Sequence, residues 1–145
     1  MRKNLKRVGT IAGVSLGATL LAVTNAYATW SSYLSGVRPG FTSHEWADSS
    51  YTQIHFKHCY ATDGNNEFGS VTVELIRTTG TNTSFGSKTF TECFSWGDGD
   101  ETSTGVWEGL PSGDYVFKIA AIGGSSSTYR LLSVDAVTVD TTKAD

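Results

Sequence analysis

The groups in this chain that could do chemistry are carboxylates, imidazoles, two thiols and a set of aromatic rings, and their spacing limits each in turn. Gly97-Asp98-Gly99-Asp100-Glu101 is the densest cluster of charge beyond the N-terminal seven residues. Carboxylates on a loop flexed by Gly can converge on Ca²⁺, which takes about six to eight oxygen ligands. Asp98, Asp100 and Glu101 nevertheless lack the third acidic position and the closing Glu of an EF-hand loop. A solvated hairpin tip is the simpler reading, so no cofactor is expected, with calcium as the alternative. Asp63-Gly64-Asn65-Asn66-Glu67 is a fainter version of the same pattern.

His44, His55 and His58 raise the question of zinc, whose usual ligands are imidazoles and carboxylates. Residues three apart on a strand face opposite ways, and no H-E-x-x-H pair is present. Structural or surface histidines are therefore expected. Glu92 and Glu108 could be offered as a glycosidase pair, but such carboxylates must stand about 5–10 Å apart in a cleft. Beyond residue 28 there is no G-x-S-x-G elbow, phosphate loop, dinucleotide fingerprint or zinc-peptidase motif. The expectation is a protein that is not an enzyme.

The two cysteines, Cys59 and Cys93, sit in alternating apolar segments and are expected to form a disulfide stapling two strands. A catalytic thiol is disfavoured, because the adjacent His58 would point to the opposite strand face. Among the rings, Trp30, Tyr33 and Trp46 fall in an irregular stretch, residues 29–50, punctuated by Arg38-Pro39-Gly40. They either plug one end of the core or form an exposed face of the kind that stacks on sugars or anchors protein partners. If exposed, they are the candidate ligand contacts.

The elements that must position these groups read as strands. Gly105–Gly124 organises the chain: Leu110-Pro111-Ser112-Gly113 supplies a hairpin or corner, followed by a strand apolar on both faces and hence central. Tyr115, Phe117, Ile119 and Ala121 share one face of it. Tyr51–Tyr60 is expected to be a strand with Thr52, Ile54, Phe56, His58 and Tyr60 inward. Ser70–Thr78 follows with Val71, Val73 and Leu75 inward, then Phe85–Trp96 and Tyr129–Val139. The count is about seven strands, an all-β, disulfide-stapled, immunoglobulin-like β-sandwich over residues 51–140, with a jelly roll or small barrel as alternatives. Residues 29–50 add a short edge strand, and 141–145 form a frayed tail.

Ahead of this domain, Arg2, Lys3, Lys6 and Arg7 precede an uncharged run to Val23 and an Ala26-Tyr27-Ala28 site, the pattern of a cleaved secretory signal peptide spanning residues 1–28. The run is too short and too diluted by Gly, Ser and Thr for a retained anchor. Cleavage leaves seven Lys and Arg against fourteen Asp and Glu. So acidic a product is not steered to nucleic acid, and no stable membrane insertion is expected after cleavage. The reading is a secreted, extracellular, non-catalytic binding or interaction domain for an extracellular polymer, such as cell-envelope polysaccharide, or a protein partner. The alternative is a small effector: an inhibitor, a toxin-like protein or a hydrolase.

Overall fold

The computed structural model describes residues 29–61, 69–95 and 101–142. The leader, the 63–67 turn, Asp98 and Asp100 lie outside the described residues. Six strands are present among those described: β1 (Thr29–Val37), β2 (Trp46–Ala61), β3 (Val71–Arg77), β4 (Thr83–Phe90), β5 (Thr102–Ile122) and β6 (Leu132–Asp140). A 3₁₀ turn, η1, occupies Glu92–Phe94. The strands form one antiparallel sheet in the order β1-β6-β2-β5-β3-β4.

Six strands rather than about seven result because the Leu110–Gly113 stretch does not separate two of them. It lies inside β5, the 21-residue strand. Opposite it, the register with β2 slips on both sides of Ser50, pairing Tyr51 with Glu108, Ser50 with Leu110 and Asp48 with Gly113. β5 gains two residues over β2 here: Gly109, at φ +68°, stands between the first two pairs, and Pro111-Ser112 together face Ser49. Pro, with no N–H to give to a ladder, is confined to such irregular positions, and Gly accepts the left-handed backbone at little cost. Turn chemistry is thus absorbed as a bulged bend. The Tyr115 hydroxyl fastens it by donating to the Pro111 carbonyl at 2.5 Å.

The bend folds the sheet over. Phe56 pairs across the sheet with Ser103, yet its ring lies 5.6 Å from that of Phe117 on the same β5. A straight strand, rising about 3.3 Å per residue, would put those two β5 positions more than about 40 Å apart. The N-terminal part of β5 pairs with β2 and the part from Tyr115 pairs with β3. Ile54, Phe56, Val73, Leu75, Tyr115, Phe117, Ile119 and Val137, buried to 1% exposure or less, fill the space enclosed.

Two further expectations need correction. The strand foreseen over Phe85–Trp96 ends at Phe90, and Cys93 sits in η1, so the disulfide ties β2 to a turn rather than to a second strand. The bridge itself is present between Cys59 and Cys93, with Cα atoms 5.1 Å apart. On a chain-entropy treatment, closing a loop of that sequence separation, 34, is worth about 4 kcal/mol. Alternation along β2 also fails at its end. Thr52, Ile54 and Phe56 are buried as expected, but His58 takes φ +56°, after which Cys59 and Ala61 turn inward and Tyr60 is exposed. β6 switches sides at the same level, from buried Val137 to buried Val134.

The disulfide fits an oxidising compartment such as the extracellular space. Among the described residues no helix is long and apolar enough to cross a membrane.

Candidate functional site

Arg38-Pro39-Gly40 makes the turn that its composition dictates. Pro39 is the second residue, Gly40 the third at φ +101°, and the Phe41 N–H closes on the Arg38 carbonyl at 3.0 Å. The chain beyond it is stitched along β5: Gly40 donates to Ile119 at 2.7 Å, Ile119 to Phe41 at 2.9 Å and Ser43 to Phe117 at 2.9 Å. Residues 41–44 are thereby held facing β1 across a gap.

That gap is a groove of about 210 Å³. β1 contributes Trp30, Ser32, Tyr33 and Leu34 to it, and the stitched segment contributes Phe41, Ser43 and His44. Phe117 and Val137, both buried, close its inner end. Trp30 is half-buried, and its indole lies 4.0 Å from the His44 ring, centroid to centroid, and 5.9 Å from Trp46. The Trp30 Nε1 is buried without an acceptor among the described residues. Tyr33 is 68% exposed and supplies the accessible ring. Rings, hydroxyls and an imidazole around so small a space suit one amphipathic ring of a ligand, with an apolar face to stack and polar edges to bond.

Of the three rings singled out from sequence, two meet here and the third does not reach the surface. Trp46 is 5% exposed, packs 6.5 Å from Phe117, and donates through Nε1 to Thr52 Oγ1 at 3.4 Å. Its position as first residue of β2, pointing between the folded halves of the sheet, makes it core. Ser32 on β1 and Phe41, Ser43 and His44 on the stitched segment are among the lining residues that sequence reasoning did not assign to a ligand. The Pro-Gly turn that brings the last three back toward β1 was the available signal.

Two of the titratable candidates, Glu101 and His58, meet, and the others are placed apart. Glu101 contacts His58 Nε2, and His58 Nδ1 lies 3.4 Å from Asp135 Oδ2. His55 Nδ1 lies 2.9 Å from the Thr104 hydroxyl. Glu92 opens η1 and Glu108 lies on β5, both exposed. Among the described residues no three His, Cys, Asp or Glu side chains are grouped to hold a metal ion. Of the residues considered for calcium, only Glu101 is among those described.

No protein-family model matches the chain, and no curated protein matches it.

Proposed function

We propose that this chain is a secreted, non-catalytic binding domain whose Trp30–Tyr33–His44 groove receives one sugar ring of an extracellular polysaccharide. The observation that carries the reading is the groove itself: an exposed Tyr33 beside the tilted Trp30–His44 ring pair, rimmed by Ser32 and Ser43. Aromatic faces stack on the C–H face of a sugar while hydroxyls bond its edges.

The same reading takes the bent sheet as an immunoglobulin-like sandwich, with the groove between the open edges of its two layers. Two features support this. β5 divides its pairing between β2 and β3 at the bend. Tyr115, bonding back to the backbone four residues upstream, is similar to the tyrosine corner of such sandwiches.

The test is a pull-down of the chain from Thr29 onward, with its disulfide formed, on insoluble polysaccharides and whole cell walls. Retention is expected, and it should fall at least tenfold in Tyr33→Ala with the melting temperature unchanged. Full retention by Tyr33→Ala and Trp30→Ala, or none by the parent on any matrix, would sink the sugar-binding reading.

A second reading, an extracellular effector, draws on His58 held between Glu101 and Asp135. An imidazole flanked by two carboxylates is a common acid–base unit. Glu101→Gln leaves polysaccharide retention intact on the first reading and abolishes an effector activity on the second.

A further inference from the structure

We propose that cleavage before Thr29 creates an ion pair within the fold, in which the new α-ammonium of Thr29 docks on the Asp140 carboxylate and fastens the start of β1 to the end of β6. The inference rests on the reading of residues 1–28 as a leader. Its structural content is independent of any ligand.

Thr29 is the first residue of β1 and stands directly across from Asp140 in the β1–β6 register. Its hydroxyl donates to Asp140 Oδ1 at 3.2 Å. The same oxygen accepts from the Thr142 N–H at 2.8 Å and the Thr142 hydroxyl at 2.5 Å. Burial alone would raise the Asp140 pKa, but these donors and the nearby His55 outweigh it and hold the group below the ordinary carboxylate value. Asp140 is therefore an ionised acceptor prepared at the place where processing makes a cation. The Thr29 nitrogen is three bonds from its own Oγ1, so the ammonium falls within about 7 Å of Asp140 Oδ1 on standard covalent dimensions, and within about 6 Å when the two are gauche. Opposite charges at that range each favour the partner's ionised form. In the precursor the same nitrogen is an uncharged amide. The other titratable neighbour is His55 on β2, whose strand pairs with β6 at this level through Gln53 and Asp140.

The sign follows from linkage. An α-amine whose pKa is raised in the folded chain adds stability that is complete below its unfolded value, about 8, and is lost as pH rises through the folded value. The precursor cannot gain this stability.

The first measurement is the intact mass of the secreted protein, expected to begin at Thr29. The second uses that protein with its α-amine free or acetylated, each with Asp140 or Asp140→Asn. By NMR titration the free α-amine should ionise above the ordinary value of about 7.7–8.0 and return to it in Asp140→Asn. Acetylation should lower the melting temperature near pH 7 by up to about 5 °C in the parent and leave Asp140→Asn unchanged. A mass placing the terminus elsewhere overturns the proposal. So does an α-amine that titrates at the ordinary value in the parent, or equally in both backgrounds.

Discussion

Asp48 and Asp140 are both carboxylates held by hydroxyl and amide donors, yet their acidities move in opposite directions. Asp140 has its network at the open end of the sheet and ends below the ordinary value. Asp48 lies inside, 5% exposed, and accepts from the Thr52 hydroxyl and from the Ser49 N–H at 2.6 Å. Its burial outweighs those bonds and raises its pKa. Between its unfolded value and the raised one, folded Asp48 keeps a proton that the unfolded chain has released, so its contribution to stability falls as pH rises. Asp140 does the reverse: its contribution is complete above the unfolded carboxylate value and is lost as pH falls through the lowered one. Urea unfolding midpoints from pH 2 to 8 check both. Asp140→Asn should shallow the acid-side loss of stability. Asp48→Asn should instead remove a decline with rising pH, provided that Thr52 turns its hydroxyl to accept from the new amide. Identical pH profiles for parent and both variants would refute the assignment.

At the scale of the element, β5 decides what could be read in advance. Its later half was legible because Tyr115–Ile122 is apolar on both faces behind a turn signal, the mark of a central strand, and β5 is indeed paired on both sides. Its bend was half legible: the Leu110–Gly113 chemistry announces a change of direction, but a hairpin and a bulged corner use the same residues. The burial switch at His58 was not legible, since His, though enriched among non-Gly residues at positive φ, adopts it too seldom for its presence to signal one. Nor was the groove, because its two walls meet only through the pairing of residues 40–43 with β5. The hydrogen bond that pins the bend gives a direct check. Tyr115→Phe removes the hydroxyl from the Pro111 carbonyl while leaving the buried ring in place. It is expected to cost about 1 kcal/mol in urea unfolding, the usual worth of one such bond. An unchanged midpoint would mean that packing alone holds the corner.

For the whole molecule, charge and the groove make separable demands on a partner. From Thr29 onward the chain carries seven Lys and Arg against fourteen Asp and Glu, so any contact driven by its overall field must be with a cation-rich surface. Such contact would weaken steeply as added salt shortens the screening length from about 10 Å at 0.1 M to about 3 Å at 1 M. The groove demands something else. Its lining, from Trp30 and Tyr33 to Ser43 and His44, includes no Lys, Arg, Asp or Glu. Stacking and neutral hydrogen bonds at such a site are little screened by salt, and sulfate or phosphate salts strengthen apolar burial. Retention on an uncharged polysaccharide is therefore expected to change less than about twofold between 0.1 and 1 M NaCl, and to rise in sodium sulfate. A tenfold fall over the same range would overturn stacking and neutral hydrogen bonds as the basis of retention.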